Sequence, residues 1–443
     1  MNTNRREFIK TGAGAFFIAA APRVFGAGAP SNRVRLVIMG CHENGRGIWV
    51  MRNALKVPGV EFAAVCDVDA RARAFAAAEL EKTTGVKPRE FADIRKALED
   101  PEIDGIVCET PDHWHATAAV LAMKAGKAVY VEKPCSFCPA EGEIIVRTQK
   151  ETGKVFQMGN QRRASDIFQQ VMKEVHSGAF GEFKWAKCWY NARRKAIPAT
   201  VAAPVPAWLD WNLWQGPAPR VDYRENYLHY NWHWFRRWGT SEMGNNSPHF
   251  LDVARWAMKL GFPQRVTAGG GHVFRTQPDW EWPDFHNVTY EYPDGKVVTW
   301  ECTSSAGYMP YMGNSTGCVL HNEDYALYFA ANDSAALYDR RDKLVKEWKN
   351  PEEDKTKVGS VTNPVDELDT KHMAKFVSCI RANDVRTNAP ADEAHKSTIL
   401  SHLGNIALLT GETVRLDPAT GRLLGKNGAE LWSREYAKGW ELV

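Results

Sequence analysis

The sequence predicts an α/β chain that opens with a doubly wound parallel sheet and continues into a second, strand-containing domain. Three observations predict it. First, the apolar run Val34–Met39 leads into a glycine-rich turn from Gly40 to Gly47, then a helical stretch over Ile48–Leu55, then a second strand over Glu61–Cys66 that ends at Asp67. Second, strand and helix patterns keep alternating through Phe91–Leu98, Gly105–Glu109, Trp114–Ala125 and Ala128–Glu132. Third, the character changes after Lys154. A helix over Ile167–Ser177 precedes strand-like runs at Glu182–Tyr190, Gln264–Arg275, Asn287–Tyr292 and Lys296–Thr303, and Asp294-Gly295 is a hairpin turn between the last two.

Length and composition agree with this. The 443 residues suffice for two or three domains, and 44% hydrophobic with 25% charged residues is ordinary for a globular chain. The formal net charge of +3 lies entirely in residues 1–29, where Arg5, Arg6, Lys10 and Arg23 face only Glu7. The remainder is neutral, which argues against a nucleic-acid partner. No apolar run reaches the roughly 18 residues of a membrane span, so no stable membrane anchor is expected. The nine cysteines are odd in number and scattered, so no disulfide framework follows.

Residues 1–29 read as a twin-arginine export signal: the Arg5-Arg6 pair with Phe8 behind it, an apolar stretch from Gly12 to Ala21, and small residues at Ala27-Gly28-Ala29. The expected location is the periplasm. That compartment offers no free nicotinamide pool, so any dinucleotide would be held tightly and regenerated within one cycle.

The glycine-rich turn and the helix start after it can present backbone N–H groups to a diphosphate, with Gly40, Asn44, Gly45 and Arg46 as candidate contacts. Asp67, 27 residues after Gly40, would accept from ribose hydroxyls and favour NAD over NADP, although Arg71 nearby weakens that preference. His42 stands where a dinucleotide turn carries its middle glycine.

Two further stretches fall at the carboxyl ends of strands, where open α/β sheets bind ligands: Thr110-Pro111-Asp112-His113-Trp114-His115 and Glu132-Lys133-Pro134. Together with the turn, they resemble the Gfo/Idh/MocA family of glucose–fructose oxidoreductase, inositol dehydrogenase and relatives. The resemblance implies a Rossmann-type first domain over 33–154. It implies a second, α+β domain over 155–412 whose sheet is open and mostly antiparallel, leaving a tail over 413–443. It places Thr110, Pro111, His113, His115, Glu132 and Gln161 at the cofactor, and Lys133 beside both the nicotinamide and the reacting carbon. It also implies a homo-oligomer paired through the open sheet.

The segment Gly239–Asp252 matches the family's D-x-x-x-H-x-x-D element, with His249 on the catalytic histidine and Asp252 on the acid after it. The first acid is replaced by Asn245. An amide supplies no charge, so His249 should be less basic than in the parent pattern, while Asn245 can still orient substrate hydroxyls. Twelve of the 17 tryptophans fall between Trp185 and Trp300, a concentration that suits stacking on sugar rings. Arg162, Arg163, Tyr190, Trp232, His233 and Arg237 are candidate substrate contacts. The Cys135/Cys138 pair has no second pair beside it and reads as incidental thiols. No metal site is expected.

The expected activity is an NAD-dependent oxidoreductase on a sugar or glycoside hydroxyl. The alternative is a redox-neutral NAD-dependent glycosidase, which the family also contains. A non-catalytic sugar-binding relative is a third reading.

Overall fold

The computed structural model describes residues 32–307, 313–349 and 366–442; the export signal expected at 1–29 lies outside them. The first domain alternates β1 (Val34–Met39), α1 (Arg46–Ala54), β2 (Val60–Cys66), α2 (Ala70–Thr84), β3 (Arg89–Phe91), α3 (Ile94–Leu98), β4 (Gly105–Cys108), α4 (Asp112–Lys124), β5 (Ala128–Val131), α5 (Pro139–Thr152) and β6 (Phe156–Met158). The strands form one parallel sheet in the order β3-β2-β1-β4-β5-β6. Helices cover both of its faces, so Leu36, Val37 and Ile38 on successive sides of β1 are all fully buried. The strand order reverses between β1 and β4, and a crevice opens there at the carboxyl ends. This sheet takes in β6 and so runs past residue 154, where the domain was expected to end.

The second domain carries α6 (Asp166–His176), β7 (Trp185–Asn191), α7 (Trp211–Gln215), α8 (Ser241–Met258), β8 (Arg265–Gly271), β9 (Phe285–Glu291), β10 (Val297–Thr303), β11 (Thr316–His321), β12 (Tyr325–Ala330), β13 (Ala335–Asp339), β14 (Leu344–Trp348), α9 (Asp366–Ala382), α10 (Ala391–Thr410) and β15 (Val414–Arg415). Its nine strands order as β14-β13-β12-β11-β7-β10-β9-β8-β15, antiparallel except for the β7–β10 pair. The turn at Asp294-Gly295 joins β9 to β10, with Gly295 at φ +78°. Helices α6, α8 and α10 pack on one face through Phe168, Phe250, Leu251, Leu400 and Leu403.

Two late segments return to the first domain. Met373, Phe376 and Val377 of α9 share a core with Leu36, Ile38 and Val65. Near the C-terminus, Trp440 packs edge-on to Trp114, with centroids 5.0 Å apart. Among the described residues no helix is long and apolar enough to cross a membrane.

Candidate active site

A cleft of about 790 Å³ lies at the carboxyl ends of β1, β2, β4 and β5, roofed by α8 and by the segment before it. At its floor, the turn after β1 is built tightly. Gly40 sits at φ +86°, and a Cβ on Gly47 would come within 1.9 Å of the Gly40 carbonyl oxygen, so neither position admits a side chain. Helix α1 then begins at Gly45 with no side chain capping it and no acid in its first turn. Its free N–H groups and positive dipole end therefore suit a diphosphate. Asp67 ends β2, with Oδ2 accepting from Cys41 N at 2.8 Å and Oδ1 from Asp69 N at 2.9 Å. Each oxygen keeps a lone pair for a ribose hydroxyl. These features fit a dinucleotide. His42 does not project into empty space: its ring stacks on His229 of the second domain at 4.0 Å.

The middle of the cleft holds a buried charge cluster. Arg46 forks onto Asp369 of α9, Nη1 to Oδ2 at 2.8 Å and Nη2 to Oδ1 at 2.5 Å, and Nη2 lies 3.5 Å from Glu132 Oε1. Glu132 accepts from Gln161 Nε2 at 2.6 Å and from the Lys133 backbone N–H at 3.1 Å. His115 ties the loops after β4 and β5 together, its ring nitrogens lying 2.6 Å from Pro134 O and 2.8 Å from Thr110 O.

Lys133 Nζ donates to the backbone oxygen of Asn245 at 2.7 Å and to its Oδ1 at 3.2 Å. Pro248 lies inside α8 and has no N–H for the carbonyl of Gly244. The disturbed turn offers the next carbonyl, that of Asn245, to Lys133. His249 follows Asn245 by four residues and so shares its helix face. Burial pushes Lys133 below the usual lysine value, opposed by Glu132 and Asp112. Burial also holds His249 well below an ordinary histidine, and the cations Lys133, Arg162 and Arg46 lower it further. The sequence expectation of a weakly basic His249 has the same direction.

The cleft lining brings together Gly40, Asn44, Gly45, Arg46, Asp67, Thr110, Pro111, His115, Glu132, Lys133, Gln161, Trp232, His233, Asn245 and His249. Five candidates stay outside it. His113 is fully buried against Trp214 O at 3.0 Å, because two residues along α4 turn it nearly opposite to His115. Arg162 points away from Gln161, toward the Ala331 carbonyl at 3.3 Å and over the Phe250 ring at 4.3 Å. Arg163 is spent on Asp252, Nε to Oδ2 and Nη2 to Oδ1 at 2.8 Å each, which also makes Asp252 a strut rather than a cleft group. Tyr190 is packed in the second core with its hydroxyl accepting from Arg194 Nη2 at 2.8 Å. Arg237 lies in a separate surface hollow with Arg236 and Arg434.

The tryptophan concentration is mainly a core. Trp211, Trp214, Trp234, Trp238 and Trp280 bury one another with Tyr227 and Phe235. Ring centroids there lie 4.9 Å apart for Trp211–Trp214 and 4.4 Å for Trp234–Trp280. Only part of the set reaches the cleft, Trp214 and Trp232, the latter stacked on His233 at 3.6 Å. This aromatic unit forms a strap from the second domain across the cleft mouth. Ala70 N donates to Trp208 O at 2.8 Å, Asp210 N to Val68 O at 3.1 Å, and the Arg71 guanidinium lies 3.4 Å over the Trp208 ring.

Sequence reasoning missed several cleft or supporting groups. Asp369 and His229 had no signal, being brought in from distant segments. Glu242 was legible as an acid one turn before Asn246, and it is fully buried, accepting from Arg194 Nη2 at 3.1 Å. Asp112 stood in the recognised loop; it accepts from Thr240 N at 3.0 Å and so ties α4 to the start of α8. Cys135 and Cys138 are buried thiols pushed up to about 12 by desolvation, consistent with inert packing residues. Among the described residues no group of three His, Cys, Asp or Glu is placed to hold a metal ion.

Residues 34–160 match the Gfo/Idh/MocA family, described as an oxidoreductase family with an NAD-binding Rossmann fold. A 4-carboxy-2-hydroxymuconate-6-semialdehyde dehydrogenase from Sphingobium sp. is 30% identical over 166 residues, covering 38% of this chain and 50% of that one. A glycosyl hydrolase family 109 protein from Shewanella pealeana is 30% identical over 215 residues, covering 43% of this chain and 46% of that one. The chain thus spans about half the length of these relatives. In fold, aldose-aldose oxidoreductase from Caulobacter crescentus superposes with a TM-score of 0.64 at 16% identity, over 87% of this chain and 100% of that one.

Proposed function

We propose, from the match of residues 34–160 to the Gfo/Idh/MocA oxidoreductase family, that the chain is an NAD(H)-dependent enzyme acting on a hydroxyl of a sugar or glycoside, with its dinucleotide retained and recycled internally. The observation that carries the proposal is the meeting of Lys133 with α8. An ammonium from the first domain is bonded to Asn245, one turn from His249, inside the cleft that the α1 N-terminus opens onto.

The N–H groups of α1 would hold the diphosphate, Asp67 the adenosine ribose, and Glu132 with Gln161 the nicotinamide side. When bound, the nicotinamide supplies the site with a hydride acceptor that can also return the hydride. The chain does the rest. Lys133 uses two directions on Asn245 and keeps a third N–H for a substrate oxygen, where its charge stabilises developing alkoxide. His249 is held neutral by burial and by the cations Lys133, Arg162 and Arg46, and can accept the hydroxyl proton at a ring nitrogen. Asn245, Asn246, Trp232 and His233 line the space beyond and read hydroxyls and ring faces. The strap at Trp208 and His229 supports retention, since it ties the second domain to the turns after β1 and β2 that border the cleft.

The redox-neutral glycosidase is the second reading. The family 109 relative and the Asn245 departure from the dehydrogenase pattern both favour it. A carbonyl formed transiently on the ring acidifies the adjacent C–H, which permits elimination of the leaving group; water addition and reduction complete the cycle. The deciding experiment purifies the protein, records the absorbance of bound dinucleotide, and screens aryl glycosides and free sugars with and without added NAD. Aglycone release with no net NADH supports the glycosidase and excludes the simple dehydrogenase. A protein that neither contains nor binds a dinucleotide refutes both.

We also propose export to the periplasm on the strength of Arg5-Arg6; the double change R5K/R6K should leave the protein in the cytoplasm. Pairing of two copies through the uncovered face of the nine-stranded sheet is proposed as well, with light scattering of the purified protein as the check.

A further inference from the structure

Glu109 has no task in the mechanism above. Its place is fixed by backbone contacts: its N–H donates to Met39 O at 2.8 Å, and its carbonyl oxygen lies where a Cβ on Gly40 would come within 2.4 Å. Its own Cβ faces Gly47, 3.2 Å from where a side chain would begin. The carboxyl is thus held on the cleft wall between the start of α1 and the Glu132–Lys133 pair. Oε1 is shielded from solvent and has no hydrogen-bond partner among the described residues.

The neighbours satisfy one another without it. Arg46 is forked onto Asp369, Glu132 accepts from Gln161 and the Lys133 backbone, and Lys133 Nζ is bonded to Asn245. Two cations, Arg46 and Lys133, therefore already face three partnered carboxyl groups, Glu132, Asp369 and Asp112. An ionised Glu109 would add to a buried excess of negative charge beside the helix start that suits a diphosphate. Burial, reinforced by Glu132, accordingly raises the Glu109 carboxyl well above the usual range. A buried acid with an unpartnered oxygen in a ligand cleft is costly unless a ligand completes it.

We propose that Glu109 is a cofactor-binding residue that works as the neutral acid, donating its O–H to an oxygen of the dinucleotide in the stretch between the α1 N-terminus and Lys133. This rests on the dinucleotide reading of the cleft. The role is a hydrogen bond alone, with no proton transferred.

The test is calorimetric titration of NAD into protein freed of bound dinucleotide, with thermal melts as a folding control. E109Q keeps a donor of the same reach and should bind within about threefold of the wild type. E109A removes the donor and should weaken binding about tenfold. An E109A protein that binds as well as the wild type overturns the proposal, because Glu109 then makes no contact. E109Q binding tenfold tighter than the wild type also overturns it, because the native carboxyl would then be ionised and repelling the diphosphate. Failure of the wild type itself to bind NAD overturns the dinucleotide reading and this proposal together; the first two outcomes strike this proposal alone.

Discussion

Asn245→Asp restores the acid of the parent pattern, and the structure says what that charge would do. The new carboxylate would stand where Asn245 Oδ1 now lies, 3.2 Å from Lys133 Nζ. At an effective dielectric of about 20, unit charges at that separation attract by about 5 kcal/mol, or nearly four pK units. Two costs reduce this. Asn245 is buried, so the carboxylate is desolvated. Its other side faces Glu242, whose Oε1 accepts from Asn245 Nδ2 at 3.4 Å, and a like charge would replace that donor. The net rise expected for Lys133 and for His249 is about one unit each, at the lower end of the usual range of about 1–3 for a nearby opposite charge. The sign for activity follows. Turnover needs neutral His249, so the acid limb of the kcat/KM profile moves to higher pH as that imidazole becomes more basic. It needs charged Lys133, so the alkaline limb moves the same way. The assay is the pH profile of the variant against the wild type on the substrate found by screening, with NMR titration of the His249 ring as a measure independent of turnover. Two unmoved limbs, in a variant with a normal melting curve, would refute both the placement of Asn245 and the roles given to its neighbours.

Three other substitutions probe separate parts of the structure. Lys133→Ala should still bind NAD by calorimetry and lose about 10²–10⁴ in turnover; undiminished turnover would remove Lys133 from the chemistry. Asp252→Asn should cost about 3–5 kcal/mol in denaturant unfolding, because it leaves Arg163 buried with only Glu393 as a charged partner. Burial pushes the Asp252 carboxyl up, but Arg163, Arg255 and the Ser397 hydroxyl together bring it below its ordinary value. Its contribution is therefore present above the unfolded-state value and lost as pH falls through the folded one, so the gap between wild type and variant should close in acid. A cost under about 1 kcal/mol at neutral pH would count against the strut assignment. Trp208→Ala removes the ring under the Arg71 guanidinium, a contact of about 1 kcal/mol, and should speed release of bound dinucleotide about fivefold in a dilution or chase assay; unchanged release would show that the strap does not hold the cofactor.

What could be read from the sequence was whatever short-range pattern determines. Strand β1, the turn after it and Asp67 are set by neighbours within about thirty residues, and the loops after β4 and β5 inherit their place from strand ends. The rest depends on which distant surface meets which. The apolar residues Met373, Phe376 and Val377 of α9 fall on one helix face, but nothing local says that this face completes the first domain, or that Asp369 meets Arg46 across 323 positions. Helix α8 contains Gly244 and Pro248 and a run of polar residues, so its first half has no helical periodicity to read, although every residue from Ser241 to Asp252 is buried. The tryptophans are the sharpest case. An indole that stacks on a sugar and an indole that stacks on another indole have the same composition and the same spacing. Here five of them pack on one another and on Tyr227 and Phe235, and the strap they belong to reaches the loop after β2 at Val68 and Ala70. On the proposed function, the aromatic excess bears on substrate through the cleft it borders, and the side chains left for ring recognition are the few, Trp232 and His233 foremost, that line the cleft.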